Sequence, residues 1–163
     1  MGGMEWMIIL LIACAVVAAL FIGIANTQNA VSSGMIIKRN RDFYDQKHII
    51  TSTCADVDYV WNHMDRSVLE KARVHSEYDA AQNRIEFTTS RSRMLIGGYL
   101  AALTQLRPDD QGRTRIRFEV EAYNARSFDV TAVNAILTLI EKTVYEADHE
   151  AVAERIYIKR KTS

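Results

Sequence analysis

The most constraining feature of the chain is an uninterrupted apolar run from Trp6 to Ile24, which contains no charged side chain, no amide and no proline. As an α-helix rising 1.5 Å per residue, this run would extend about 28 Å, close to the roughly 30 Å hydrocarbon core of a bilayer. A helix buried in a globular protein normally keeps one polar stripe, and the run has none. The pattern therefore predicts a transmembrane helix, which we assign to residues 1–25.

A cleaved signal peptide is the alternative interpretation of the same run. Signal peptides begin with a positively charged region and end at a cleavage site of small residues. Residues 1–5 contain no Lys or Arg, and the sequence from Ala25 to Thr27 matches such a site poorly. A membrane span is therefore the better explanation of the run.

The charges that flank the run predict how the chain is oriented. Lys and Arg close to a span tend to stay on the cytoplasmic side, and the first ones follow the run, at Lys38, Arg39 and Arg41. We therefore expect a single-pass protein of the cell membrane, with its N-terminus outside and its C-terminal domain in the cytoplasm. The same three cations are candidates for contact with anionic lipid headgroups. Alternatively, this is a juxtamembrane segment in which the aromatic side chains of Phe43 and Tyr44 sit at the membrane interface or pack on the domain.

The remainder of the chain divides into a juxtamembrane tether over residues 26–47 and one domain over residues 48–163. Residues 26–37 are largely polar and include one Gly, as is typical of a connecting segment. The domain is long enough to bury a hydrophobic core of its own.

Charge balance and motifs argue against several classes of function. The chain has 20 Lys and Arg against 20 Asp and Glu, so it has no bulk electrostatic attraction to nucleic acid. Its four His have no ligand spacing, and it contains no CxxC or HExxH motif and no phosphate-binding glycine loop. Cys14 and Cys54 indicate no disulfide framework. These patterns favour a non-enzymatic protein without metal or cofactor, in which only scattered residues could form a catalytic site.

The first part of the domain carries a strand signal followed by a helix signal. The β-branched stretch from His48 to Cys54 predicts a strand. Thr53 and Asp56 have the spacing of a capping box, and the apolar residues after them have helical spacing, so we predict one amphipathic helix. Its stripe comprises Val57, Val60, Trp61, Met64 and Val68.

The middle of the domain is predicted to form antiparallel strands. Residues 73–78 and 84–90 indicate a hairpin, and residues 113–123 alternate as a strand with one buried face. Residues 94–106 predict its partner strand, because Gly97 and Gly98 disfavour the alternative, a helix. This gives about five strands.

The last predicted element is a helix that begins near Val130, with Asp129 as its N-cap. Its apolar residues keep a 4,3 spacing, so the helix either runs to about Ile158 or bends near Asp148 and His149. The predicted fold class is therefore α+β, with an N-terminal transmembrane helix followed by an antiparallel sheet packed against a long C-terminal helix.

A row of arginines is expected on the solvated face of this sheet. The row could bind phosphate groups, or it could form ion pairs with glutamates on neighbouring strands, and the second interpretation is favoured. The row comprises Arg113, Arg115 and Arg117, with Arg84 and Arg93 nearby, and the glutamates are Glu77, Glu86, Glu119 and Glu121.

The order of strand, helix, antiparallel strands and long helix resembles the START-like (helix-grip, polyketide-cyclase-like) superfamily over about residues 48–147. The positions that match its opening motif are Ala55, Asp56, Val60, Trp61 and Asp65. The resemblance implies a curved sheet that grips the last helix, with a cleft for an apolar ligand between them. The candidate ligand-binding residues are Trp61, Phe87, Leu103, Ile116, Phe118, Ile136 and Ile140. A filled hydrophobic core is the favoured alternative for the same set.

Two functional hypotheses follow from these observations. The first is a membrane-anchored, non-enzymatic interaction or assembly module at the bilayer surface, whose partners are membrane lipids and either another protein or further copies of the chain. The second is a membrane-tethered START-like carrier or sensor of a lipid or another apolar small molecule.

Overall fold

A computed structural model of the 163-residue chain describes residues 11–18, 39, 46–89, 100–120 and 130–157. The chain divides into two compact units, Met1–Ile36 and Ile37–Ser163. In the first unit, residues 11–18 form a helix, α1, whose side chains are exposed.

The predicted transmembrane helix is contradicted by the structure. In the parts of the chain that the structure describes, no helix is both long enough and apolar enough to cross a bilayer. The helical residues 11–18 would rise only about 12 Å, against a hydrocarbon core of roughly 30 Å. The other residues of the apolar run lie outside the described ranges. The single-pass topology and the cell-membrane localisation, with the N-terminus outside and the domain in the cytoplasm, are corrected by the same finding.

The second unit has an α+β fold, as predicted, built on one antiparallel sheet. Its described strands are six rather than about five, and their order across the sheet is β2-β3-β4-β5-β1-β6. The elements in chain order are β1 (Gln46–Ser52), α2 (Val57–His63), α3 (Arg66–Lys71), β2 (Val74–Asp79), β3 (Arg84–Thr89), β4 (Ala101–Leu106), β5 (Thr114–Val120), α4 (Val130–Ala147) and β6 (Val152–Tyr157).

The middle strands follow the patterns that predicted them. In β5, Ile116, Phe118 and Val120 are buried, whereas Arg117 and Glu119 between them are partly exposed. Strands β2 and β3 pair as a hairpin. Its turn is stabilised by Asp79, whose Oδ1 accepts hydrogen bonds from the amides of Ala81 at 2.9 Å and Gln82 at 3.1 Å. The strand interpretation is confirmed for Ala101–Leu106, while residues 94–99 are outside the described ranges.

The structure has two short helices where a single helix was predicted after β1. Each of the two helices has its own aspartate as N-cap. Asp56 caps α2, with its Oδ1 accepting from the Tyr59 amide at 2.7 Å. Asp65 then caps α3 by accepting from the Ser67 amide at 3.0 Å. The predicted capping box is therefore wrong: Asp56 is the cap, and the Thr53 side chain binds elsewhere.

The last helix is shorter than predicted and is followed by a strand. Helix α4 ends at Ala147, a turn closed by a hydrogen bond from the Ala151 amide to the Asp148 carbonyl at 3.1 Å follows, and β6 then pairs antiparallel with β1. The continuous and the bent helix are both wrong, because the backbone groups of residues 152–157 bond across to β1. Asp129 lies outside the described residues.

One hydrophobic core joins the sheet to α4. Ile136 and Ile140 of α4 belong to the same buried cluster as Phe87, Leu103 and Phe118 of the sheet. Burial extends over every residue from 132 to 140 of α4. Because this half of the helix is covered on all sides, its position relative to the sheet is strongly determined by packing.

Candidate functional site

Six of the seven predicted ligand-binding residues are brought together inside this core. None of them is more than 1% exposed, and Leu103 lies directly opposite Phe118 in the ladder between β4 and β5. Such mutual burial is what a close-packed core requires. The structure thus places these side chains against one another: Phe87, Leu103, Ile116, Phe118, Ile136 and Ile140.

Trp61, the seventh predicted residue, has a different environment. It lies half-buried on α2, and its ring stacks on the Tyr78 ring with centroids 5.5 Å apart. The guanidinium carbon of Arg66 lies 3.9 Å from the Trp61 ring centroid, and Arg66 also donates to the Trp61 carbonyl at 3.0 Å. These contacts hold the indole over the β2–β3 hairpin, between an aromatic ring and a cation.

Arg39, one of the predicted headgroup contacts, binds side chains of α4. Its guanidinium donates to Thr138 Oγ1 at 2.7 Å and to the Asn134 side chain, and it forms a salt bridge with Glu141. Only 6% of the Arg39 side chain is exposed. Burial lowers the pKa of this guanidinium below its ordinary value, and the carboxylate of Glu141 opposes that shift. Lys38 and Arg41 lie outside the described residues.

The arginine row on the outer face of the sheet is largely paired with carboxylates. Arg84 Nε lies 3.0 Å from Glu86, and Arg117 Nε lies 3.5 Å from Glu119, which also pairs with Lys47 at 3.1 Å. This arrangement favours the ion-paired interpretation over a phosphate site. A further pair joins Arg113 to Asp109 at 2.8 Å, and Arg93 and Glu121 are outside the described ranges.

Not every glutamate faces an arginine as predicted. Glu77 of β2 lies directly opposite Glu86 of β3. Beside this pair is an open cleft of about 690 Å³, whose polar lining includes Asp79, Gln82 and Arg84. None of the predicted ligand-binding residues lines it.

Strand β6, the last strand of the sheet, is its most exposed element. All six of its residues are exposed, including the apolar side chains of Val152 (56%), Ile156 (42%) and Tyr157 (68%). At the other end of the sheet, β2 buries its first residue, Val74, and has no large apolar side chain among its exposed residues. We call residues Val152–Tyr157 the β6 edge.

The register with β1 shows which face each β6 side chain occupies. Residues paired across strands point to the same face. Ala153 and Arg155 pair with Ile50 and His48, which lie opposite the core residues Ile116 and Phe118 of β5. These two residues and Tyr157 therefore lie on the α4 side of the sheet. Val152, Glu154 and Ile156 lie on the outer face, and the residue opposite Glu154 is Ile49.

The sequence reasoning missed the β6 edge although a signal for it was present. Val152, Ile156 and Tyr157 are residue types enriched in strands. The helical spacing that continues from α4 through Ala151 masks this signal, because the apolar and charged residues of the segment do not alternate with the period of a strand.

Comparisons with known proteins give no relative from which a site could be transferred. No family model, no curated protein and no solved structure matches the chain. Among the residues that the structure describes, no group of three or more His, Cys, Asp or Glu is placed to hold a metal ion.

Proposed function

We propose that the unit Ile37–Ser163 is a protein-interaction module that binds an extended segment of a partner along the β6 edge. The observation that carries this proposal is the exposure of all six residues of a terminal strand, including the apolar side chains of Val152 and Ile156. Proteins normally protect such an edge, since its unpaired backbone groups are a template for another strand. Among the described strands only β1 pairs with β6, and an exposed edge with apolar side chains is typical of a binding site.

Strand addition would use both the backbone and the side chains of β6. In an antiparallel ladder, alternate residues direct their N–H and C=O groups to opposite sides, so part of the β6 backbone faces away from β1. Each added backbone hydrogen bond contributes about 0.5–1.5 kcal/mol net. Val152 and Ile156, on one face, would contact alternate side chains of the added segment, and such contacts provide specificity.

The rest of the fold holds this edge rigidly in place. Strand β1 lies between β5 and β6 and pairs with both over most of its length. Its core-facing residues His48 and Ile50 are about 1% exposed. Because β1 is fixed by the core, the β6 edge is held in an extended form before a partner arrives, which reduces the entropy cost of binding.

We also propose that this unit has a START-like fold. This second proposal concerns the architecture of the unit and not its function. The arrangement of one strand, two short helices, an antiparallel run of strands and a long helix that shares their core supports it. The carrier function that the resemblance implies has less support. The residues that would line an apolar cleft, such as Phe87 and Phe118, are buried against one another.

Selection from a displayed library of random extended peptides tests the interaction proposal. The bait is the full chain, and the test variant carries Val152→Lys with Ile156→Lys, which places charges on the β6 edge. His75→Lys, on the exposed face of β2 at the opposite edge, is the matched control. We expect selected peptides to bind the wild type and the control, and to lose at least tenfold in affinity for the test variant. Peptides that bind all three proteins equally would overturn the proposal.

A further inference from the structure

Glu154 and Arg155 are adjacent, oppositely charged residues at the middle of the β6 edge. They point to opposite faces of the sheet, and both are exposed. Neither forms a salt bridge within the part of the chain that the structure describes. A strand added to this edge must therefore place one side chain opposite each charge, on the matching face.

A two-fold dimer through the β6 edge cannot satisfy both charges. Two identical antiparallel strands related by a two-fold axis must place some residue opposite itself, because paired side chains share a face and neighbours along a strand do not. The registers with the longest overlap within β6 are centred on Glu154 or on Arg155. The first opposes two glutamates and the second two arginines, and like charges directly opposite are destabilising. Other two-fold registers pair no more than residues 152–154 or 155–157.

The surroundings of each charge reinforce this asymmetry. On the α4 side, Glu141 and Arg155 both lie near enough to Tyr145 to act on it electrostatically, but Glu141 already forms a salt bridge with Arg39. On the outer face, Glu154 lies opposite the apolar Ile49, and the nearby Lys47 is paired with Glu119. Glu141 and Lys47 are thus engaged, whereas Glu154 and Arg155 form no salt bridge with any described residue.

We infer that the occupant of the β6 edge is an antiparallel strand of a different protein that carries an acidic residue followed directly by a basic one. This inference rests on the proposed function. Because the strands run in opposite directions, the partner residue that faces Arg155 comes before the one that faces Glu154. Apolar residues would face Ile156 and Val152, which gives the order apolar, acidic, basic, any, apolar.

Two synthetic peptides test the inference with the full chain. The matched peptide contains Ile-Glu-Lys-Thr-Val between serine flanks, and the exchanged peptide contains Ile-Lys-Glu-Thr-Val. We expect the matched peptide to bind about tenfold more tightly by fluorescence anisotropy, since two favourable cross-strand pairs replace two mismatched ones. The preference should shrink in high salt, because exposed charges are screened.

A charge-exchanged protein provides the reciprocal measurement. Glu154→Lys with Arg155→Glu keeps both side chains exposed and should invert the preference between the two peptides. One outcome would overturn the inference and leave the proposed function standing. In it, the wild type binds both peptides with equal affinity, and the double variant Val152→Lys with Ile156→Lys binds neither.

Two other outcomes count against the inference in different ways. Failure of the wild type to bind either peptide would contradict the proposed function as well. If the wild type dimerises with increasing concentration and Val152→Lys abolishes this, the occupant is a second copy of the chain. That result would overturn the inference of a different protein as partner.

Discussion

The carboxylate of Asp148 accepts a hydrogen bond from the backbone amide of Thr53 at 2.7 Å, and so joins the end of α4 to the end of β1. The same oxygen also accepts from Thr53 Oγ1 and from Ser52 Oγ, both at 2.9 Å. The other oxygen accepts from the Glu150 amide at 3.0 Å, inside the turn that leads into β6. One carboxylate therefore fixes the three segments that position the β6 edge.

Replacing Asp148 by Asn should destabilise the domain. An amide presents one acceptor oxygen instead of two and adds two donors, so it cannot accept from β1 and from the turn at once. We expect Asp148→Asn to lower the melting temperature by about 5 °C or more, measured by circular dichroism. The nearby Glu150→Gln, which removes an exposed charge, should change it by less than about 2 °C. Equal melting temperatures for the two variants would contradict this role of Asp148.

The same network predicts a dependence of stability on pH. Hydrogen bonds from the Thr53 amide, then from the Thr53 and Ser52 hydroxyls, lower the pKa of Asp148 to about 2. An unfolded Asp titrates near 3.9, so this stabilisation is complete above that pH and is lost as the pH falls towards 2. Denaturant unfolding of the wild type should therefore weaken more steeply between pH 4 and pH 2 than that of Asp148→Asn.

Comparison with this variant isolates Asp148 from other acids in the same range. Hydrogen bonds from Ser67 and Arg113 also lower the pKa of Asp65 and of Asp109, and these two contribute equally to both proteins. Parallel pH profiles for the wild type and Asp148→Asn would show that the Asp148 network does not stabilise the fold.

The contacts of Asp148 also mark what sequence patterns can and cannot predict. The alternation of Ile116, Phe118 and Val120 is a local pattern, so it predicted β5 correctly. The residues Thr53 and Asp148 are 95 positions apart, and no sequence pattern near Thr53 indicates their contact. A Thr three residues before an Asp was therefore interpreted as a local capping box, whereas its hydroxyl binds a distant carboxylate.

The candidate site was harder to predict than the fold, because it depends on what lies beside each segment. Exposure of Val152 and Ile156 follows from the position of β6 as the last strand, which only the complete strand order determines. The contacts of Arg39 with α4 were hard to predict for a similar reason. A cation between other charges indicates a solvated surface, but this guanidinium is satisfied by a polar stripe on α4.

Arg39 is predicted to stabilise the domain through that stripe. Arg39→Ala leaves Glu141, whose side chain is only 12% exposed, without its cation. We expect the free energy of unfolding to fall by about 1–3 kcal/mol in urea titrations. Glu141→Gln should lower the free energy of unfolding by a smaller amount. The double variant Arg39→Ala with Glu141→Gln should lower it by about 1 kcal/mol less than the sum of the two single effects. Strict additivity would show that the two side chains are not coupled.

The packing of the core predicts the effect of added volume. Ile136 of α4 is completely buried within the cluster that contains Phe87 and Phe118. In a filled core, Ile136→Phe has no room for the larger ring and should lower the free energy of unfolding by about 1–3 kcal/mol. In a core with an apolar cleft, the ring would occupy free space, and stability would be unchanged or higher. Ile156→Phe, the same substitution on the exposed β6 edge, should change stability by less than about 0.5 kcal/mol. A stabilised Ile136→Phe beside a neutral Ile156→Phe would therefore contradict the filled core and favour a ligand cleft.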